Sequence, residues 1–171
     1  DNTSTHYFIN GTGIGLDGLA IDYVDKAKNK GKLTYFIASI RAVINFVPEP
    51  LDIEIDGEQI HFEKAYTLVV NNGRFVGGGM EMTRHAKIND EDIDVIIVHS
   101  IPKAFLLLIF SSVYIGLHTK FKKYVFNRKC KHIKAQFTTP QIAQSDGEKY
   151  TDVTSVDIHS SHKQIHLRTY K

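Results

Sequence analysis

Two carboxylates flanking one glycine make Gln144-Ser145-Asp146-Gly147-Glu148 the segment of this chain best equipped for chemistry; it follows Thr138-Thr139-Pro140-Gln141. A glycine between two acids lets the backbone turn with positive φ, so both carboxylates can be aimed at one spot. Converging acids can hold a magnesium ion through oxygen or accept the proton of an alcohol. The same letters also spell a hairpin turn, because Asp-Gly is a favoured type I′ dipeptide. The chain carries its own comparison. Asp56-Gly57-Glu58 lies between the alternating runs Leu51–Ile55 and Gln59–Phe62 and is expected to be a plain turn.

Other residue clusters offer weaker chemistry. Gly11, Gly13, Gly15 and Gly18 read as a tight turn opening a helix, a context that can bind phosphate. No Gly-Lys-Ser/Thr follows them, and close backbone packing is the favoured reading of the glycines. Asp17 is at once a helix N-cap candidate and a site candidate. In Ala86–Asp94, Asp90 with nearby backbone carbonyls could hold a hard divalent ion, or the segment is a solvated acidic turn. His159, His162 and His166 raise zinc, but no cysteine joins them, and on a strand 159 and 162 face opposite sides; surface histidines are expected. Lys120 to Lys134 carries seven basic residues interleaved with Phe121, Tyr124 and Phe126. Such a stretch could meet anionic head groups at about 1 kcal/mol per residue, or it is a pair of strands with solvated faces. The chain is read as not binding nucleic acid.

These residues need a scaffold, and composition supplies one. An apolar fraction of 42% supports a real core, and 171 residues are read as one domain over 1–171. The net charge of +2 excludes little. Cys130 is the only cysteine, so no intrachain disulfide forms, consistent with a reducing cytosol. The polar N-terminus lacks a signal peptide and an initiator Met, and the chain is expected to be part of something longer. The most apolar run, Ala104 to Ile115, is about twelve residues against the roughly 20 of a spanning helix.

Periodicity predicts a short strand at 6–10, a helix from Asp17 to about Lys30 stopped by Gly31, and a helix from Lys32 to Phe46. That second helix is expected to bury Phe36, Ile37, Ile40, Val43, Ile44 and Val47. Strands are predicted at 51–55 and 59–62, at 65–71 and 93–99, then a helix over 103–116. Short strands follow at 122–127, 132–137, 141–145, 154–158 and 163–168. Consecutive strands with few helices argue for a mainly β sandwich or an α+β fold, not a parallel sheet.

Taken in order, Phe8-Ile9-Asn10…Gly13-Ile14-Gly15-Leu16-Asp17, Asn71-Asn72-Gly73-Arg74-Phe75-Val76-Gly77-Gly78-Gly79-Met80, Ala86-Lys87-Ile88-Asn89-Asp90, Ile93-Asp94-Val95 and Ser145-Asp146-Gly147-Glu148 resemble one family. It is the C-terminal half of the diacylglycerol kinase-like lipid kinases, which include bacterial diacylglycerol kinases, sphingosine kinases and ceramide kinases. The resemblance implies the β-sandwich domain of the lipid kinase and NAD kinase-like architecture. An N-terminal lobe of the same enzyme would carry the Gly-Gly-Asp-Gly nucleotide motif, which does not occur here, so this chain alone would be incomplete and inactive.

By that resemblance the cofactors are ATP and Mg2+. Asp146 would be the general base toward a lipid hydroxyl, with Gly147 and Glu148 on the phosphate–magnesium side. Asp17 would face the lipid head group. Asp90, with the backbone carbonyls of Lys87 and Asp92, would hold a structural magnesium. Glu91 and Asp92 depart from the glycine and the apolar residue common in the family. The implied partners are a membrane lipid, most readily diacylglycerol, the missing lobe, an anionic membrane surface and a second copy of the chain. The implied location is the cytoplasm, peripherally on a membrane. An NAD kinase-like enzyme and a non-catalytic lipid-binding or regulatory domain of this fold are the alternatives.

Overall fold

The alternating glycines form a strand, not a turn. In the computed structural model, which describes residues 4–29, 31–88 and 90–161, β1 is Gly11–Gly15 and no strand covers 6–10. Alternation puts Gly11, Gly13 and Gly15 on one face of β1, and Thr12 and Ile14 on the other. Gly15 adopts φ 86, a value that side chains resist, and turns the chain directly into α1, Leu16–Asp25. Gly15 therefore occupies the N-cap position predicted for Asp17, which sits within the first helical turn. Gly31 is likewise not a stop but the residue before α2, Lys32–Asn45.

Seven strands make one antiparallel sheet. The others are β2, Glu49–Ile55; β3, Glu58–Asn71; β4, Ile93–His99; β5, Val125–Cys130; β6, His132–Ser145; and β7, Glu148–His159. α3, Lys103–Phe110, lies between β4 and β5. β1 pairs with β3 over 67–71 and with β6 over 143–145. β2 pairs with β3 over 58–65 and with β6 over 133–137. The two strands therefore follow one another along a single lane between β3 and β6, interrupted by residues 16–48. That insertion carries α1 and α2. β4 and β5 extend the sheet beyond β3, and β7 extends it beyond β6.

One face closes on an apolar core that contains Ile14, Leu51, Ile53, Ile55, Leu68, Val70, Val95, Ile97 and Ile133, all nearly inaccessible. Full burial of each side chain contributes about 1.5–3 kcal/mol. Phe126 of β5 and Val156 of β7 pack against that same cluster, so the outer strands curl toward each other as a sandwich. The fold is mainly β with helices, as the succession of strands predicts. The other face carries the glycines of β1 and is covered by helices. Val43 of α2 and Leu106 and Ile109 of α3 pack with Tyr66 there.

Several boundaries differ from expectation for physical reasons. The predicted strands 132–137 and 141–145 are one strand, whose pairing with β7 is irregular around Pro140, a residue without a ladder N–H. β5 starts at Val125, because Tyr124 and Val125 donate to the Phe121 carbonyl in a preceding turn. α2 is rotated from the expected face. It buries Ala38, Ser39, Ala42 and Val43, while Ile37, Ile44 and Val47 stay exposed. Small residues let the helix approach its neighbours most closely. The strand expected at 163–168, with His162 and His166, lies outside the described residues.

Asp22 ties α1 to β7. Its buried carboxylate accepts from Lys26 Nζ at 2.6 Å and Lys149 Nζ at 2.9 Å. Hydrogen bonding from Lys26, then from Lys149, holds its carboxyl below the ordinary aspartate range. A depressed folded value gives stability that is present above the unfolded pKa and is lost as pH falls through the folded one. Asp22→Asn is expected to destabilise the fold at neutral pH by about 1 kcal/mol. In denaturation series at several pH values, that gap to wild type closes as the pH drops below about 4.

Candidate functional site

The missing β-carbons of β1 make room for polar side chains on the helix-covered face. A β-carbon on Gly11 would collide with Asn71 Oδ1, and one on Gly13 with the Asp17 carboxylate. Asp17 is thus buried over Gly13, where Gln144 Nε2 donates to its Oδ2 at 2.8 Å. Gln144 is directly across from Gly13 in the β1–β6 pairing. Its Oε1 accepts the Gly147 N–H at 3.0 Å. One buried amide therefore links Asp17 to the Asp146-Gly147 turn, although the two sites are about 130 residues apart in sequence.

Asp17 is an unusual acid. Burial pushes its carboxyl above the ordinary value, and the Gln144 hydrogen bond offsets this in part. Burial, then the nearby charges of Asp17 and Tyr114, also push the Tyr35 phenol well above its usual range. The Tyr35 ring fills the place a side chain on Gly77 would need. Gln144 is the hydrogen-bond donor that favours a charge on Asp17 there.

Asp146 and Glu148 engage different partners. Asp146 is exposed, and its carboxylate is cradled by successive backbone N–H groups: Ile9 at 2.6 Å and Gly11 at 2.9 Å, with Asn10 between them at 3.1 Å. The Asp146 N–H donates in turn to the Gly11 carbonyl. Glu148, also exposed, accepts from the Tyr150 hydroxyl at 3.1 Å. The turn at Asp56-Gly57 is built the same way. Its φ values of 47 and 88 match the 48 and 92 of Asp146-Gly147. Asp56 Oδ1 also accepts two backbone N–H groups, from Lys131 and His132. Turn geometry therefore does not separate the two copies. Their surroundings do, since only the second is joined to a buried acid.

At the same end of the sheet runs a second polar row. Asn71 of β3 faces Gly11 on one side and Asp94 of β4 on the other, and Asp94 faces Lys129 of β5. Lys129 Nζ lies 2.7 Å from Asp90 Oδ2 and 3.3 Å from Asp94 Oδ2. The hydrogen bond from Lys129 holds the Asp90 carboxyl below its ordinary value, whereas burial raises that of Asp94 despite the same lysine. Burial works against the charge on Lys129, but Asp90 and Asp94 outweigh it and raise its pKa. Asp94 and Lys129 were missed as site residues from sequence; only the strand register brings them to Asp90.

The structural magnesium implied by resemblance is tested by this donor set. Carboxylate oxygens suit a hard ion, and Asp90 Oδ1 is buried without a hydrogen bond of normal geometry among the described residues. The convergence point of Asp90 and Asp94 is nevertheless taken by an ammonium. Lys87 is exposed, and the Asp92 backbone contributes a hydrogen bond to the Asp90 carboxylate. No group of three His, Cys, Asp or Glu side chains is gathered for a metal among the described residues. The two carboxylates therefore do not fit a shared ion while Lys129 stays in place. Cys130 is buried, and burial pushes its thiol up to about 12.

A depression of about 230 Å³ lies at the opposite end of β1, among Gly15, Leu19, Phe46, Glu49, Gln141 and Ile142. In this chain Asp146 and Glu148 stand on an exposed turn outside it.

Fold and site together define a β-sandwich domain with a buried acid joined to an exposed acidic turn. A family profile described as the YegS C-terminal NAD kinase beta sandwich-like domain matches residues 11–161, and the chain belongs to that family. Over 134 residues it is 29% identical to a Bacillus subtilis (strain 168) protein provisionally named lipid kinase YtlR, covering 70% of this chain and 41% of that one. It is 24% identical over 121 residues to a Mycobacterium tuberculosis (strain ATCC 25618 / H37Rv) diacylglycerol kinase, covering 70% of this chain and 39% of the relative. A solved structure provisionally named a diacylglycerol kinase, from Bacillus anthracis strain Sterne, superposes with a TM-score of 0.60 at 26% identity, covering 89% of this chain and 50% of that one. The chain spans about two fifths of the length of these curated relatives.

A buried, desolvated carboxylate that serves a ligand should cost stability. Asp17→Asn keeps an acceptor for Gln144 and removes the charge. It is expected to stabilise the fold by about 1 kcal/mol at neutral pH. Because the folded pKa of Asp17 is raised, the wild type gains relative stability as pH falls from that value toward the unfolded one. The advantage of the variant therefore shrinks on acidification. Equal stability of the two proteins across the pH range would show that Asp17 carries no desolvation cost.

Proposed function

We propose that this chain is the substrate-side domain of an ATP-dependent lipid kinase. The transferred group is the γ-phosphoryl, the acceptor is a hydroxyl of a membrane lipid, and diacylglycerol is the first candidate. The observation that carries this reading is Gln144, which joins the buried Asp17 to the Asp146-Gly147 turn, in a chain whose relatives bear lipid kinase names. An N-terminal nucleotide-binding lobe would face this turn and complete the cleft.

Phosphoryl transfer needs in-line positioning and charge neutralisation more than covalent help. Asp146 would accept the proton of the lipid hydroxyl as the phosphoryl group moves. Its backbone cradle would fix the carboxylate's direction. Glu148 and the Gly147 backbone would stand at the phosphate end, where a carboxylate oxygen suits Mg2+. Asp17 would meet the polar part of the lipid.

The substrate sits in a membrane, and the surface offers a matching face. Leu33, Ile37 and Ile44 are exposed along α2. Leu107, Leu108 and Ile115 are exposed on and just after α3. Lys103 Nζ bonds the Ile44 carbonyl, and Phe36 stacks near Phe110 and Tyr114, so the helices run side by side. Lys120, Lys122 and Lys123 stay exposed beyond them. No helix of the described residues is long and apolar enough to cross a membrane. Peripheral docking on an anionic cytoplasmic leaflet follows from this reading. A homodimer would compete for the same apolar face.

The family's NAD kinase-like description favours one second reading, a kinase with a soluble nucleotide acceptor. The intact protein, offered labelled ATP with lipid micelles or with NAD, separates the two. Asp146→Asn is expected to lower kcat with lipid by about 100-fold or more; turnover near wild type would remove Asp146 from the mechanism. A paired Ile37→Glu/Leu108→Glu variant is expected to lose about 10-fold or more of its partition onto anionic vesicles. Unchanged flotation with those vesicles would move the membrane contact elsewhere.

A further inference from the structure

We propose that Lys129 is the resident cation of the Asp90–Asp94 carboxylate pair, standing where a divalent ion would otherwise sit, and that only its removal opens the place to such an ion. The inference is independent of the lipid-kinase reading, because it concerns what holds the end of the sheet together.

Lys129 is not a surface lysine that happens to swing inward. It is paired across β4–β5 with Asp94, so its side chain is delivered to the same face of the sheet by strand register. Asp94 is nearly inaccessible, with only 5% of its side chain exposed. Lys129 Nζ touches one oxygen of each acid, at 2.7 and 3.3 Å. Asp92 adds negative potential at Asp94. Asp90 and Lys129 keep 27% and 35% of their side chains exposed, whereas the nearly inaccessible Asp94 needs a positive charge beside it. The same requirement is what a divalent ion would answer with oxygen ligands at about 2.0–2.5 Å.

The two cations would compete for the same oxygen. An ion bound to Asp90 Oδ2 at such a distance would stand within about 5 Å of the ammonium hydrogen-bonded to that oxygen. Asp90 Oδ1 and Asp94 Oδ2 lack a hydrogen bond of normal geometry among the described residues, so the ammonium leaves part of the acids' acceptor capacity unused. The polar row Gly11–Asn71–Asp94–Lys129 then continues without a metal from the strand beside the Asp146 turn to the loop at Asp90.

The test reads metal binding and stability rather than turnover. Mn2+ binding is followed by electron paramagnetic resonance, and thermal unfolding is compared in EDTA and in millimolar Mg2+, on the intact protein. The wild type is expected to show no Mn2+ site that Asp90→Asn abolishes, and a Tm shift with Mg2+ below about 1 °C. Lys129→Met is expected to lose at least about 3 °C in EDTA, to regain it with Mg2+, and to bind one Mn2+. Lys129→Arg, which keeps the charge, is expected to match wild type in stability and in indifference to metal. An Asp90-dependent Mn2+ site in the wild type overturns the proposal, as does a Lys129→Met protein that is as stable as wild type or gains nothing from Mg2+. Where Lys129→Met does not fold under either condition, Lys129→Arg decides: a loss of wild-type stability or a new response to metal in that variant rejects the resident-cation role.

Discussion

Gly13 has no β-carbon, and Asp17 lies where one would be. This steric exchange organises the helix-covered face of the sheet. β1 threads between β3 and β6, and its small residues let polar groups descend onto the sheet where apolar side chains would ordinarily pack. Gly11 admits Asn71, and Gly13 admits Asp17. Gly18, in the first turns of α1, lets that helix sit against the Ile142 carbonyl, since any side chain there would strike it. The burial of an acid is thus built into the backbone path, and the apolar core on the opposite face offsets its cost.

Two polar lines leave this lane. One runs from Asp17 through Gln144 to the Gly147 amide. The other runs from Gly11 through Asn71 and Asp94 to Lys129. The first begins over Gly13 and the second at Gly11 of the short β1 strand, and both reach loops that the family resemblance marks as important. The amide of Gln144 has a defined orientation, because a carboxylate accepts on one side and a backbone N–H donates on the other. Asp146 itself is held to Gly11 and its two predecessors. The strand, the turn and the buried acid are therefore joined by a continuous set of hydrogen bonds. In the lipid-kinase reading, that set would hold a proton acceptor and a head-group acid in register.

Much of the framework was legible in the residues. The β-branched run Ile93–His99 is a strand with the predicted bounds, and the alternation around Asp56-Gly57 is the β2–β3 hairpin. α2 begins where the periodicity places it. Other features were hidden by the physics of local sequence. Glycine has low strand propensity, so Gly11–Gly15 reads as a turn until β3 and β6 supply its partners from distant sequence. The apolar residues of α2 outnumber what one face can hold, and the pattern alone does not say that Ala38 and Ala42 face inward. Asp17 has the letter of an N-cap, yet Gly15, two residues earlier, takes that position. Lys129 belongs to a basic stretch that reads as solvated, and only the β4–β5 register reveals its acid partners. The two Asp-Gly turns look different in sequence context but share one geometry, so their distinction is a tertiary one.

The central claim is that Asp17 is buried and linked through Gln144 to the turn that holds Asp146. Site-resolved NMR titration of the intact protein tests it most directly, following the Asp17 carboxyl carbon and the Gly147 amide together. The account predicts that Asp17 titrates above the ordinary aspartate value, that the Gly147 amide shifts with the same midpoint, and that Gln144→Ala uncouples the two. An Asp17 carboxyl titrating as an ordinary aspartate, with a Gly147 amide indifferent to it, would contradict the account.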